Sequence, residues 1–445
     1  MRALRFAVLA STLLFSIGCG STPSSETPSA AVDASAPASD AAVEIIPDAH
    51  AHDAADAAPA TLPTPMPKVD PRGGDIFRHP KVVTITFPGD PFRETLETFD
   101  DYVTTSSWWT AVTHEYCGAP GSTDCIGGGS SGGHVVMPAP ANATYALADM
   151  DNLIRDNVTN GTFPAPTPET IYAVFFPENV TIGDPGYMSC SEFEAYHYFT
   201  DVVPPLTPND GADGGATDAG ADPADATLDG GVPEASAPSV FVAYAIMARC
   251  KPSAALLTLD VAHEIVEATT DPFNNGYWID DDAWSAFFYG EVGDLCINEQ
   301  PITVDGYTVQ RTWSNASAAA GHNPCVPVPQ GDVYYSASPE KRAKPISLKV
   351  GQSITIDVHA FSERDIGEWS LQAADYDELY QRPPALSLSL DRKTVSNGSV
   401  ARLTIKLLRA PDPTPSNPDG VALYALVSSR SNEYHYFPGL VVPKL

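Results

Sequence analysis

The spacing of apolar and polar positions divides this chain into stretches of different rhythm. Residues 1–18 open with Arg2 and Arg5, continue as a largely apolar run and reach small residues before Cys19. That is the pattern of a cleaved secretory signal rather than a membrane-spanning helix. Residues 19–75 are built of Ala, Ser, Thr, Pro and Asp with almost no large apolar side chain, which predicts a disordered tether. Between residues 76 and 329, β-branched runs alternate with helical periodicity. Residues 82–87, 171–176 and 240–247 read as buried strands, and 92–102 and 145–158 as helices. A further helix begins after Pro252-Ser253 and must end by Asp271, because Pro272 follows. Beyond residue 330 the rhythm shortens to period two, in 346–350, 354–358, 386–390, 403–407 and 421–427, with Gly, Pro and Asn between the runs. A β-sandwich of immunoglobulin-like size is expected there.

The segment order predicts an α+β domain over residues 76–329, compatible with the zincin-like class that the motif described below resembles, followed by an all-β immunoglobulin-like sandwich over 330–445. An Asp/Gly/Ala-rich stretch, residues 209–238, interrupts the first domain with six Asp, one Glu and no Lys or Arg. Its acidic spacing does not fit a calcium loop, so it reads as a solvated insertion. Net charge is -32, which excludes nucleic acid and anionic lipid as partners. Contact with a membrane is expected only through a lipid anchor, since Gly18-Cys19 with a Ser/Thr/Pro-rich sequel resembles a bacterial lipoprotein cleavage site, although Ser16 stands where Leu is usual. Cys117, Cys125, Cys190, Cys250, Cys296 and Cys325 remain, an even number that outside the cytoplasm suggests three disulfides. Pairing of sequence neighbours is the simplest arrangement. No Cys-x-x-Cys occurs, which argues against thiol redox chemistry.

Candidate chemistry concentrates in the predicted helix before Pro272. Leu257, Val261, Ile265 and Ala268 form an apolar stripe, while Asp260, His263 and Glu267 share another face. His263-Glu264-x-x-Glu267 places an imidazole and a carboxylate one turn apart, within reach of one cation. In the related His-Glu-x-x-His pattern both helical ligands are histidines and the Glu is the general base. Here a carboxylate replaces the second histidine and remains a donor suited to Zn2+, and Glu264 is the expected base. A catalytic ion needs a third protein ligand. Downstream, Gly290-Glu-Val-Gly-Asp-Leu-Cys296 supplies Glu291 as third ligand and Asp294 to orient a ligand histidine, an arrangement that resembles the zincin branch whose third ligand is a Glu. Asp271, Asp260 and His197 complete the set of candidates around the ligands. The plain alternative is a polar helix face whose acids pair with Arg311 or Lys251, and a His197 that is simply packed among Tyr196, Tyr198 and Phe199.

Trp108-Trp109, Cys190 followed by His197-Tyr198-Phe199, His263-Glu-Ile-Val-Glu267 running into Thr270-Asp-Pro272, Glu291-Val-Gly-Asp-Leu-Cys296 and Val309-Gln-Arg-Thr-Trp-Ser-Asn315 together resemble the phosphate-induced, EXORDIUM-like proteins and their bacterial relatives. The resemblance covers residues 82–315 without the acidic insertion. It implies a secreted or cell-surface protein with a zincin-like helix. In plants such proteins are tied to cell expansion at the wall, which leaves a non-enzymatic role open. Asp271 stands where Asn is usual in the plant proteins and Gly293 where Ala is common; neither change removes a proposed ligand.

Other motifs carry less. Gly127-Gly-Gly-Ser-Ser-Gly-Gly133 lacks the Lys-Ser/Thr of a phosphate loop and reads as a flexible loop. Ser191 and Ser285 have no base at a recognisable spacing, and the Trp108-Trp109 pair reads as core. The expectation is thus a lipid-anchored, cell-surface zinc metallohydrolase, a peptidase acting on peptide or protein. Its rival is a non-catalytic surface protein whose sandwich binds wall or matrix glycan or protein, with Trp369, Tyr376 and Tyr380 as the aromatic residues available for a sugar.

Overall fold

The computed structural model describes residues 65–119, 121–204, 239–250, 252–339, 345–413, 417 and 419–444. The expected signal segment, Cys19, most of the expected tether, the acidic insertion and Lys251 lie outside these residues. The protein is of mixed α/β class and rich in strands, arranged as two sheet systems that share a continuous core.

The first system centres on a five-stranded sheet of β1 (Lys81–Thr86), β2 (Ser130–Val136), β3 (Thr170–Phe175), β4 (Ala195–Val202) and β5 (Val240–Met247), in the order β2-β1-β3-β5-β4. The first four strands in that order run parallel and β4 pairs antiparallel with β5 at the edge. Successive residues of a strand point to opposite faces, and the cores divide accordingly. Val82, Ile171, Ala173, Phe175, Ala243, Ala245 and Met247 belong to one core. Val83, Ile85, Tyr172, Val174, Tyr244 and Ile246 belong to the other, covered by Met150, Ile154 and Val158 of a helix at Leu147–Thr159. On the first face lie helices α1 (Arg93–Val103), α2 (Ser107–Thr113) and α4 (Ala254–Thr270), α3 being the helix on the opposite face.

Helix α4 starts where Ser253 Oγ accepts a hydrogen bond from the Leu256 amide and ends where the Asp271 amide donates to the Glu267 carbonyl before Pro272. Every residue from Val261 to Thr270 is buried. The expected apolar stripe of Leu257, Val261, Ile265 and Ala268 packs in the core, and the polar side is covered as well, by Gly290–Trp313, with Thr258 Oγ1 donating to the Thr308 carbonyl.

Two expectations are corrected. The folded part begins within the segment read as tether, because Met66 and Val69 are buried, Val69–Pro71 pairs with Tyr277–Ile279, and Asn315 brackets the Val69 peptide from both sides. The Gly-rich segment read as a flexible loop supplies β2, with a bulge opposite Val82 and Thr84. Gly132 is needed there for close approach, since a Cβ would lie 2.5 Å from Val83 Cγ2.

The three disulfides join Cys117 to Cys125, Cys190 to Cys250 and Cys296 to Cys325, the neighbour pairing expected. Such bridges mark a protein that matures outside the reducing cytoplasm, in the envelope or beyond it.

The second system is a sandwich of two sheets. With β6 (Tyr335–Pro339), β7 (Ile346–Leu348), β8 (Ser353–Ser362), β9 (Glu368–Asp375), β10 (Leu386–Leu390), β11 (Thr394–Ser396), β12 (Val400–Leu407), β13 (Ala422–Arg430) and β14 (Glu433–Pro443), the orders are β6-β8-β12-β10 and β7-β14-β13-β9-β11. It is joined to the first system by aromatic packing rather than by a slack linker. Trp284 of α5 (Asp282–Phe288) meets Phe437 edge-on, and Phe287 and Phe288 meet Tyr436. Beside them His435 Nδ1 lies 3.0 Å from Glu299, which Arg311 also pairs. Of the aromatics expected to face a sugar, Trp369 is buried, Tyr376 packs on Phe287, and only Tyr380 is exposed.

Asp100 is a buried acid away from the candidate site. Asp100 of α1 accepts from Thr84 Oγ1 at 2.8 Å, its other oxygen makes no hydrogen bond, and burial raises its pKa to about 8. The folded state then holds a proton that the unfolded state releases near pH ~3.9. Stability is fully present below that pH and is lost as pH rises to about 8. Asp100→Asn is expected to raise Tm at pH 8 and to change it little at pH 4, which thermal unfolding at both pH values checks.

Candidate metal centre

Three segments converge behind the sheet's antiparallel edge. On β4, Ala195, His197 and Phe199 alternate toward α4, and the small Ala245 paired opposite His197 leaves room for an imidazole. Helix α4 supplies His263, Glu264 and Glu267, and its end supplies Asp271. The turn after α5 supplies Glu291 and Asp294, the latter opening a short 3-10 helix at Asp294–Cys296 held by the Cys296–Cys325 bridge.

Glu267 ties the segments together. Its Oε1 accepts from the Asp294 amide at 2.9 Å, and its Oε2 lies 3.1 Å from His263 Nε2 and 3.5 Å from His197 Nδ1. Glu264 Oε2 lies 3.3 Å from His197 Nδ1, Glu291 Oε1 3.5 Å from His197 Nε2, and Asp294 Oδ1 3.8 Å from His263 Nε2. Two groups have donor atoms close enough to hold one ion each: His197, Glu264 and Glu267, and His263, Glu267 and Asp294. Asp294, rather than Glu291, thus stands with His263 and Glu267. Asp271 lies at the margin, its Oδ1 accepting from the Gly276 amide at 2.6 Å. Asp260, a turn before His263, is half-buried and outside both groups.

Sequence reasoning missed Gln310. His263 Nδ1 lies 2.9 Å from Gln310 Oε1, while Gln310 Nε2 donates to the Gly293 carbonyl at 2.6 Å. The Gln310 backbone is itself held, its carbonyl accepting from the Trp108 indole at 2.8 Å. With Nδ1 engaged, His263 presents Nε2 to the cluster. The signal was present in Val309-Gln-Arg, but nothing in spacing alone joins that residue to a helix so far upstream. The paired acids of the plain alternative do not form with Arg311, which binds Glu299 and the Cys325 carbonyl.

The electrostatics of the cluster are unusual. His197, His263, Glu264, Glu267, Glu291 and Asp294 are all buried, and His197 Nε2, His263 Nε2, Glu264 Oε1, Glu267 Oε2, Glu291 Oε1 and Asp294 Oδ1 make no hydrogen bond. Buried charges need partners. Burial pushes the Glu291 and Asp294 carboxyls well above the ordinary range, with neighbouring carboxylates adding to the rise. Glu264 is raised by burial against the pull of His263 and His197. Burial would also raise Glu267, yet the charge of His263 and the contacts with both imidazoles hold it below its usual value. Burial opposes charge on His197 and His263, but the surrounding carboxylates raise both well above an ordinary histidine. The imidazoles and carboxylates pair as ions with one another at 3.1–3.8 Å, and the same inward-facing donors form two sets whose chemistry a divalent cation would also fit.

No known protein family and no curated protein matches the sequence. Among solved structures, the chain is similar to a point mutant of the SrpA adhesin from Streptococcus sanguinis, at 9% identity and TM-score 0.20 over 26% of this chain and 60% of that one. It is likewise similar to a conjugative transposon lipoprotein from Bacteroides eggerthii, at 12% identity and TM-score 0.16 over 25% of this chain and 98% of that one. A chimeric titin Z1Z2 shows 14% identity and TM-score 0.15 over 22% and 85%. The chain spans less than two thirds of the adhesin, and these likenesses carry no argument about fold or activity.

The turn bearing Asp294 packs against the helix with no room to spare. A Cβ on Gly293 would lie 2.7 Å from Glu267 Oε1 and 2.8 Å from His263 Nδ1. Gly293→Ala is expected to cost about 1–3 kcal/mol through overpacking, read as a lowered Tm in thermal unfolding; an unchanged Tm contradicts the packing.

Proposed function

We propose that this chain is a zinc-dependent hydrolase of the cell envelope, with a zincin-like first domain, acting on peptide bonds. The EXORDIUM-like resemblance and the lipid anchor on Cys19 belong to the same reading. The observation that carries it is the set of buried imidazole and carboxylate donors gathered around Glu267, close enough to share an ion and otherwise paired only with one another. A mixed sheet with a ligand-bearing helix behind its antiparallel edge strand supports the zincin-like assignment. His263, Glu267 and Asp294 would hold the ion, with Gln310 fixing the His263 tautomer. A bound zinc ion polarises a scissile carbonyl and acidifies water. Glu264 Oε1, 4.0 Å from His263 Nε2, is placed to take the proton. His197, held against the other Glu264 oxygen at 3.3 Å, orients that base and offers a cation to developing negative charge.

One observation favours the second reading, a non-catalytic surface protein with a structural ion. The cluster is closed: its side chains are at most 10% exposed, the largest value belonging to Glu291. The sandwich would then carry the binding, to glycan or protein, with Tyr380 under Arg382 as its exposed aromatic.

Metal content and peptidase activity of the purified protein separate these readings. About one or more equivalents of zinc, reduced in His263→Ala, support the centre. Peptide turnover that Glu264→Gln abolishes while retaining zinc supports the hydrolase; turnover retained in that variant removes Glu264 as base. Metal without turnover favours the structural ion, and absence of metal removes the centre altogether.

A further inference from the structure

We propose, resting on the metal-centre reading above, that the cluster is built for two divalent cations sharing Glu267 rather than for one. The two ligand groups, His263/Glu267/Asp294 and His197/Glu264/Glu267, have Glu267 in common and no other residue. Its Oε2 stands between them, 3.1 Å from His263 Nε2 and 3.5 Å from His197 Nδ1. Donors about 2.0–2.1 Å from a tetrahedral ion lie roughly 3.3 Å apart, so each separation suits an ion of its own. The 3.3 Å between Glu264 Oε2 and His197 Nδ1 fits the same spacing.

The surroundings repeat in the same way. His263 directs Nε2 inward while Nδ1 meets Gln310 Oε1 at 2.9 Å. His197 directs Nδ1 inward while Nε2 faces Glu291 Oε1 at 3.5 Å. Each imidazole thus has one nitrogen for an ion and a side-chain oxygen facing the other, hydrogen-bonded at His263 and at ion-pair distance at His197. Glu291, the expected third ligand, is on this geometry the positioning residue of His197.

Charge points the same way. Glu264, Glu267, Glu291 and Asp294 are four carboxylates in a space that excludes water. When all four are ionised as ligands, two divalent ions offset their formal charge in full and one ion offsets half of it. A carboxylate-rich set with one imidazole per ion suits zinc or manganese. An ion in the second group makes Glu264 a ligand, so the hydrolytic reading belongs to the singly loaded centre.

The test uses the full-length protein stripped by chelation and titrated with Zn2+, and separately loaded with Mn2+ for electron paramagnetic resonance. Two equivalents of Zn2+ per chain are expected, falling to one in His197→Ala and to one in His263→Ala. The Mn2+ spectrum of the unaltered protein is expected to show an exchange-coupled pair, which needs no variant to fold. One equivalent of Zn2+, lost in His263→Ala and kept in His197→Ala, overturns the pair and leaves the single centre standing. Two equivalents with uncoupled Mn2+ overturn it as well, because ions sharing one carboxylate must couple. No binding in the unaltered protein removes both this proposal and the metal centre.

Discussion

The interaction on which the molecule turns is the hold of the Glu267 carboxylate on the Asp294 amide. A buried helix glutamate accepts a backbone hydrogen bond from a turn that follows it by a whole strand and helix. That bond closes the polar side of α4 against Gly290–Trp313 and brings two acids into contact with two imidazoles. With it, every donor in the cluster is removed from water and must be answered from within.

The rest of the fold arranges for that closure. Strict alternation on β4 and β5 sends Tyr196, Tyr244 and Ile246 to the α3 core and His197, Ala243 and Ala245 to the α4 side. Small residues thus stand where the imidazole needs space. On the other flank Trp108 holds the Gln310 carbonyl, and Gln310 in turn spans His263 and Gly293. Aromatic core and polar cluster are one construction: the indole that fills the core also fixes the amide that fixes the histidine.

The sequence made the repetitive parts legible. Residues 171–176 and 240–247, the helix between Ser253 and Pro272 and most sandwich strands followed from period and punctuation, and the disulfides from order alone. The two edge strands β2 and β4 were missed because neither has a simple apolar run: one is Gly- and Ser-rich, the other carries His, Tyr and Asp. His263, Glu264 and Glu267 were visible because helical spacing makes neighbours of them. Asp294 and His197 were named as residues around the ligands, but that they stand in the two donor groups themselves, and that Gln310 meets His263, depends on sheet register and a packed turn, which no local pattern encodes. The same limit explains Trp369, which looked available for a ligand but points into the sandwich core.

The placement of the bridges bears on when the site comes into being. Cys296 follows Asp294 by two positions and is tied to Cys325, while Cys190 and Cys250 flank the hairpin that presents His197. Both outer contributors to the cluster are therefore anchored by bonds that form only after oxidation, whereas α4 contains no cysteine. On the proposed metal-centre reading, metal choice is made late, from the ions of the compartment in which the thiols are oxidised and not from cytosolic supply.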